Sequence, residues 1–312
     1  AACAAWGAAG AGGQRTDAPR AKGQRANGQR PETPLLLGTG WGRTGTSSLA
    51  QALVDLNWTQ GIQIYNMRTV LQNSRFHVAK WAEIAREHDA GRPIAHLFRK
   101  LFTGFRAVTD YPAVAWWREI QEIYPDAKVI HTSRPVDDWY NSSVDTVFAF
   151  LNYANSYDLQ PLIALQERYE GKAGAVQVEF DPKAKDKQKH VQAWADFMQQ
   201  SVWDRLFGKG VDPTLATERE RVKEAFREHE RQVREAHAKN DNFLDFKMAD
   251  GWAPLCKLLR WRCPSQEPFP FRNHKREFFE ASLKPMIDMR VKARGGKRER
   301  ASRGTRERAR EL

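Results

Sequence analysis

Short apolar runs alternate with helix-like periodicities through the middle of the chain. The runs at 35–37, 105–110, 127–132 and 243–246 predict strands, and a shorter extended segment is predicted at 62–65. After most of these runs, apolar residues recur every three to four positions, which predicts intervening helices. Strands that alternate with helices are typical of a parallel sheet covered by helices on both faces. The pattern therefore predicts an α/β fold.

The predicted helices differ in length and polarity. The periodicity predicts helices at 49–56, 67–90, 94–101 and 113–124, a further one from 136 onward, and a mostly helical stretch at 144–210. Later helices are predicted at 218–239, 251–259 and 275–289, the first of them highly charged. Within the long helical stretch, a lysine-rich run at 181–189 is expected to be a solvated loop.

Composition separates both ends of the chain from its middle. Residues 1–33 repeat Gly-Gln-Arg among alanines and glycines, so they hold too little apolar bulk to offset the entropy of ordering. The net charge of +12 is concentrated at the ends: 1–30 carries +4 and 290–312 carries +7. We expect disordered basic ends at 1–33 and 290–312 around one folded domain at 34–289. Solvated ends are favoured over nucleic-acid binding, and peripheral contact of these ends with a membrane stays open.

The positions of the cysteines and histidines indicate the redox compartment and whether a metal site is expected. The three cysteines, Cys3, Cys256 and Cys263, show neither a disulfide framework nor metal-ligand spacing, which favours a reducing compartment such as the cytoplasm. Cys256 is expected to be a small core residue. The histidines show no ligand spacing, so no metal is expected. The chain begins with alanine rather than methionine, which leaves open that residues precede it.

A glycine-rich loop joins the first predicted strand to the first predicted helix. Such loops direct backbone N–H groups and a helix N-terminus toward one point, where they favour an anion. The residues predicted to bind it are Gly42, Arg43, Thr44, Gly45, Thr46 and Ser47. The spacing from Gly40 to Gly45 nearly makes a nucleotide-hydrolase P-loop, but the lysine that contacts the β/γ-phosphates is missing, and Arg43 lies earlier in the loop. The loop therefore argues against an enzyme that transfers a phosphoryl group from ATP. It suits a nucleotide whose 5′-phosphate is joined to a different leaving group.

The loop resembles a known family. Arg43-Thr44-Gly45-Thr46-Ser47 is similar to the 5′-phosphosulfate loop of sulfotransferases, normally Lys-Ser-Gly-Thr-Thr. Ser48 stands where many members carry a tryptophan that contacts adenine. Arg134 and, eight residues later, Ser142 resemble the 3′-phosphate site of the same family, with Ser143 as the competing serine. The resemblance implies 3′-phosphoadenosine-5′-phosphosulfate as co-substrate.

Asp110 is the candidate catalytic carboxylate, at the predicted end of a strand. Many sulfotransferases have Thr-His-Leu-Pro where this chain has Thr109-Asp110-Tyr111-Pro112, and their histidine takes the proton of the acceptor. Three roles are open for Asp110: a general base, a structural cap of the following helix, or a metal ligand. Arg43 is the second catalytic candidate, expected to stabilise charge on the bridging oxygen. Its alternative is a surface ion pair.

The resemblance extends over about residues 34–273 and implies both fold and function. The other segments that carry it are Asp110–Ala113, Tyr124–Ile130, Arg134–Tyr140, Gly251–Lys257 and Pro268–Asn273. The implied fold is a P-loop three-layer sandwich with a central, mainly parallel sheet. The implied activity is sulfuryl transfer to a hydroxyl or amine of a small-molecule, lipid or carbohydrate acceptor, with no metal and with 62–104 and 145–210 walling the acceptor pocket.

The chain also departs from the cytosolic sulfotransferases. It lacks their Arg-Lys-Gly-x-x-Gly motif, which completes the 3′-phosphate site, and Arg272 and Lys275 are candidates to replace it. Two other functions stay open: a P-loop nucleotide phosphotransferase or hydrolase with Asp110 on Mg²⁺, and a non-catalytic protein on the same fold.

Overall fold

The computed structural model describes residues 35–156, 160–170, 185–264, 266–272 and 275–284. The predicted disordered ends and the last residues of the predicted final helix lie outside this range, and so does the first part of the predicted lysine-rich loop. Among the described residues, no helix combines the length and apolar character needed to cross a membrane.

A five-stranded parallel sheet forms the centre of the protein. Its strands are β1 Leu36–Gly38, β2 Gln63–Tyr65, β3 Phe105–Val108, β4 Lys128–Thr132 and β5 Phe243–Phe246. They lie in the order β2-β3-β1-β4-β5, and every neighbouring pair is parallel. All carboxyl ends therefore meet at one edge, with β3 and β4 on either side of β1. The predicted parallel α/β sheet is confirmed.

Helices connect the strands and cover both faces. The α-helices are α1 Thr46–Asp55, α2 Met67–Gln72, α3 Ser74–Asp89, α4 Ala95–Leu101, α5 Trp117–Ile123, α6 Val136–Ser143, α7 Ala149–Ser156, α8 Gln160–Glu170, α9 Lys185–Met198, α10 Asp204–Phe207, α11 Arg219–Ala236, α12 Trp252–Leu259 and α13 Lys275–Phe278. A 3₁₀ turn at Ala113–Trp116 leads into α5, and π-helical turns occur at Val144–Phe148, Gln199–Trp203 and Phe279–Leu283.

One predicted loop is wrong in its described part. Residues 185–189 begin α9 instead of forming a solvated loop. The buried side chains of Trp194, Phe197 and Met198 anchor the carboxyl half of α9. The helix continues back through the lysines because lysine is a good helix former, and its charge does not prevent a helix at the surface.

The two faces of the sheet bury separate cores. On one face, Leu49 and Leu53 of α1 and Leu255 of α12 pack under the sheet. On the other face, a larger cluster contains many aromatic side chains from α3, α6, α11 and the segments around them, including Trp81, Trp116, Trp139 and Phe226. Burying a side chain of this size contributes about 1.5–3 kcal/mol relative to leaving it exposed. The layers match the predicted helix–sheet–helix sandwich.

A disulfide corrects the prediction for the cysteines. Cys256 of α12 is bonded to Cys263, with their Cα atoms 5.6 Å apart. In a continuous helix, a separation of seven residues would span about 10 Å, beyond the reach of a disulfide. The helix ends at Leu259, however, and Arg260 takes a left-handed conformation with φ 51°, which turns the chain back. The expectation that no disulfide forms is therefore wrong, whereas the prediction that Cys256 is a small core residue is confirmed, because it is buried in the cluster with Leu255.

Candidate active site

The glycine loop lies at the carboxyl end of β1 and leads directly into α1. Gly45 precedes the helix with φ 112°, a conformation that favours glycine. A Cβ on Gly42 would lie 2.4 Å from the ring of Tyr111, so only glycine allows the loop to approach this closely. The first-turn N–H groups of α1, which include those of Thr46 and Ser47, have no acceptor within the helix. The loop therefore presents donors at the edge where β1 ends.

Internal hydrogen bonds fix the loop. The Thr44 hydroxyl donates to the carbonyl of Trp41 at 2.6 Å and lies 2.6 Å from the Thr132 hydroxyl at the end of β4. The backbone N–H of Thr44 donates to the same carbonyl. From α6, the indole N–H of Trp139 donates to the carbonyl of Gly42 at 3.0 Å. Thr44 thus closes the turn from inside, and Gly45 and Ser47 are the partly exposed residues of the loop.

Arg43 lies in the middle of the loop and is nearly buried, with 9% of its surface exposed. Its Nε donates to the Ser142 hydroxyl at 3.2 Å, and its guanidinium lies 5.3 Å from the centre of the Phe278 ring. Burial lowers the pKa of Arg43 to about 10; the Asp110 charge opposes this effect and the Arg134 charge adds to it. The guanidinium therefore stays charged at neutral pH, and it lies inside the site against Ser142 and Phe278.

The structure brings Arg134 and Ser142 to the same loop. Arg134 follows β4 and donates from Nη1 to the backbone carbonyl of Arg43 at 3.2 Å. Ser142, two turns along α6, is buried against the Arg43 side chain. The competing Ser143 is also buried, but among the described residues its hydroxyl has no hydrogen-bond partner. Of the two serines, Ser142 is the one that contacts the loop.

Asp110 approaches the loop from the end of β3. Burial raises the pKa of its carboxyl to about 6; hydrogen bonds from the Tyr111 N–H and the Thr46 hydroxyl, and the charge of Arg43, limit the rise. The carboxylate is therefore mostly ionised at neutral pH yet more basic than an ordinary aspartate. Its backbone carbonyl accepts a hydrogen bond from the Val114 N–H in the turn that follows.

A segment from near the end of the described chain covers the site; its helix and its cations were predicted, but the contact of Phe278 with Arg43 was not. Phe278 of α13 lies over Arg43, and Lys275 pairs with Asp145 at 2.6 Å. The backbone N–H of Arg272 donates to the hydroxyl of Ser48 on α1 at 3.0 Å. Of the two predicted replacement cations, Arg272 thus touches α1 through its backbone, and the charge of Lys275 is compensated by an aspartate.

A metal-binding role for Asp110 would need other ligand side chains close to it. In the described part of the chain, no group of three or more His, Cys, Asp or Glu side chains is placed to hold a metal ion. What the loop, two arginines and the carboxylate provide is a cationic site for an anionic donor, with a proton acceptor at its edge.

Comparison with known proteins identifies the family. The family described as "Sulfotransferase domain" matches residues 35–278, well over half of the chain. The chain belongs to this family. It is also similar to "Ava biosynthesis cluster protein M" of Aspergillus versicolor, with 28% identity over 231 residues that cover 73% of this chain and 76% of that protein.

The sulfotransferase domain holds the whole candidate site. Its match begins at residue 35, the start of the described chain, and ends at Phe278, the residue that covers Arg43. The glycine loop, Asp110, Arg134 and Ser142 all lie between these limits. Membership of this family makes a sulfotransferase-like transfer the general activity to consider for the site.

Proposed function

We propose that the protein transfers a sulfuryl group from 3′-phosphoadenosine-5′-phosphosulfate to a hydroxyl or amine. The observation that carries this proposal is the 3.2 Å hydrogen bond from Arg134 to the carbonyl of Arg43. It puts the candidate 3′-phosphate cation beside the candidate 5′-phosphosulfate loop, so that one nucleotide can reach both. A nucleotide with phosphate groups at two positions of its ribose fits such a pair of anion sites.

In this proposal one group of residues binds the 5′-phosphosulfate of the donor and another binds its 3′-phosphate. The N–H groups of Gly42, Arg43 and Gly45 to Ser47 hold the 5′-phosphosulfate, with Thr44 closing the turn beneath them. Arg134 and the Ser142 hydroxyl hold the 3′-phosphate. Arginine is suited to a phosphate because its planar guanidinium donates two parallel hydrogen bonds.

The transfer step uses Asp110 and Arg43. The acceptor oxygen or nitrogen attacks sulfur as its proton passes to the Asp110 carboxylate, and the bond from sulfur to the bridging oxygen breaks. The leaving group is adenosine 3′,5′-bisphosphate, whose 5′-phosphate takes up negative charge. The Arg43 guanidinium, buried and fixed by Ser142, stabilises that charge without further reorganisation.

The acceptor belongs to one of three classes: small molecule, lipid or carbohydrate. The relative's name places that protein in a biosynthesis cluster, which favours a small-molecule acceptor for this chain. The segments 62–104 and 145–210 are proposed to wall the acceptor pocket.

Calorimetry tests the donor directly. We expect adenosine 3′,5′-bisphosphate to bind at least tenfold more tightly than ATP with Mg²⁺. Arg134→Ala should weaken bisphosphate binding about tenfold or more, because a hydrogen bond to a charged group contributes about 1.5–3 kcal/mol. Arg276→Ala, at an exposed position paired with Glu280, is the control and should change nothing. Tighter binding of ATP with Mg²⁺ would overturn the proposal.

One observation favours a second candidate, a P-loop phosphotransferase or hydrolase. The hydrogen bond between the Thr46 hydroxyl and Asp110 pairs a loop hydroxyl with a strand-end carboxylate, the groups that hold Mg²⁺ in P-loop enzymes. The missing loop lysine weighs against it. Metal-dependent release of phosphate from ATP, abolished by Asp110→Asn, would establish this function instead.

A further inference from the structure

An open cavity lies beside Arg134, between the start of α6 and one face of α11. Its volume is about 260 Å³, several times the roughly 30 Å³ of one water molecule. Its lining consists of Arg134, Val136, Phe226, Arg227, Glu230 and Arg234. Three of these six side chains are arginines, so the cavity is a candidate anion site next to the proposed 3′-phosphate position.

Two of the charged side chains of the lining, Arg234 and Glu230, are already paired inside the protein. Arg234 pairs with Glu230 at 2.7 Å and with Asp245 of β5 at 2.6 Å. Glu230 also lies 2.9 Å from Nε2 of His131 in the sheet. These groups are committed to partners inside the protein, so they contribute little to the attraction of an incoming anion.

The other two arginines keep their charge available. In the described structure, Arg134 makes a hydrogen bond to a neutral carbonyl and has no ion-pair partner. Arg227 pairs with Glu224, three residues earlier on α11, at 2.9 Å, and both side chains are exposed. Such an exposed pair contributes only about 0.2–0.5 kcal/mol, so the guanidinium can exchange it for a phosphate at little cost.

The cavity floor is fixed to the glycine loop. Phe226 stacks on Trp139 with ring centres 4.3 Å apart, and the indole N–H of Trp139 donates to the carbonyl of Gly42. Arg227 is the next residue along α11. Asp137 of α6 pairs with Lys223 at 2.9 Å; the charge of Arg227 acts on it as well, but less than Lys223 does.

We propose that Arg227, reaching from this cavity to the Arg134 side, joins Arg134 and Ser142 in binding the 3′-phosphate of the donor; Arg134 is the residue that the cavity and the proposed phosphate position share. Arg227 thereby supplies from α11 the second cation that the cytosolic sulfotransferases take from a late motif absent here. The inference rests on the proposed function, since it requires a donor with a 3′-phosphate. It also predicts that Arg227 distinguishes this donor from nucleotides without that group.

Calorimetry with two nucleotides and two variants tests the assignment. The nucleotides are adenosine 3′,5′-bisphosphate and adenosine 5′-monophosphate, which differ only in the 3′-phosphate. For Arg227→Ala we expect ten- to hundredfold weaker binding of the bisphosphate and unchanged binding of the monophosphate. Arg231→Ala is the matched control, because Arg231 lies one turn along the same helix, pairs with Glu228 and Glu235, and does not line the cavity. It should change neither affinity.

The outcomes separate this inference from the proposed function. If the wild type prefers the bisphosphate but Arg227→Ala binds both nucleotides as the wild type does, Arg227 has no such role and the donor assignment stands. An equal loss for both nucleotides would also overturn the inference, because it would mean a general effect on the loop. If the wild type shows no preference for the bisphosphate, the donor assignment fails as well. Circular dichroism melting curves verify that each variant is folded.

Discussion

Two residues of the site have left-handed backbone conformations, which residues other than glycine rarely adopt. Arg43 has φ 75° and Asp110 has φ 64°. Each such conformation costs about 1–3 kcal/mol and persists only where the surrounding packing enforces it. Gly42, which precedes Arg43, lies close against the ring of Tyr111, which follows Asp110. The same packing contact therefore constrains both residues. Because asparagine tolerates this conformation, Asp110→Asn removes the charge without adding backbone strain.

The first prediction concerns Asp110 and stability. The folded protein holds the proton of this carboxyl up to about pH 6, whereas the unfolded chain loses it near pH 4. Between these values the folded state binds more protons, so the contribution of Asp110 to the free energy of unfolding falls as the pH rises. Between pH 4 and pH 7, the free energy of unfolding of Asp110→Asn should therefore rise by on the order of 2 kcal/mol relative to that of the wild type. Urea unfolding at several pH values measures the difference.

Asp126→Asn serves as the control for that measurement. Asp126 lies at an exposed turn before β4, so its replacement removes one carboxylate from the surface and none from the site. A constant difference between Asp110→Asn and the wild type across the same range would show that burial does not raise the pKa of Asp110.

The second prediction concerns Asp110 and activity. A general base must be ionised, so the transfer rate should fall as the pH drops below about 6. Asp110→Asn should lose about 10²–10⁴-fold in rate, the usual contribution of such a base, and should lose this pH dependence too. Donor-dependent sulfate transfer measured between pH 5 and pH 8 provides the test. A variant that keeps the wild-type rate would leave Asp110 with a structural role only.

At the level of elements, periodicity predicted nearly every strand and helix. The inner strands β1 and β4 are almost entirely buried, so each one leaves a short apolar run bounded by turn residues, a strong local signal. What periodicity could not predict depended on backbone conformation. The left-handed turn at Arg260, which lets Cys263 reach Cys256, has no hydrophobic signature and involves no glycine.

The third prediction concerns this disulfide. It closes a short loop at the end of α12, and a loop of this length contributes about 2 kcal/mol by restricting the unfolded chain. Cys263→Ser should lower the free energy of unfolding by that amount, and a reductant should lower that of the wild type equally. The same reductant should not lower that of Cys263→Ser any further. Urea unfolding with and without reductant measures both effects, and a wild type that does not respond to reductant would contradict the bond.

At the scale of the whole molecule, the sheet order assembles the site. Placing β3 and β4 on either side of β1 brings Asp110 and Arg134 to the glycine loop from opposite directions. The glycine loop, Asp110 and Arg134 could be predicted from the sequence because each follows a recognisable strand. The sequence could not predict the contribution of Phe278 or the cavity beside Arg227, because both depend on how distant helices pack and not on a local pattern.

The cover over Arg43 belongs to a third, smaller cluster, which is distinct from the two main cores and joined to the larger one through Phe150. Its buried members come from α7, α8 and the turn after α13: Ala149, Leu162, Ile163, Leu165, Phe279 and Leu283. Asp145 adds ion pairs to Arg168 at 2.8 Å and to Lys275 at 2.6 Å. A cluster of this size stabilises little beyond itself, so it should open without unfolding the sheet.

The fourth prediction follows from that separation. Phe279→Ala removes the largest side chain of the small cluster, at a typical cost of about 3–5 kcal/mol. We expect amide hydrogen exchange to rise at least a hundredfold in 160–170 and 275–284, while the amides of β1 and β4 exchange as in the wild type. Phe279→Leu should raise exchange much less, because it keeps most of the buried volume. If exchange rose equally in the sheet, the cover would be part of the main cooperative unit, and access to Arg43 would require the whole domain to open.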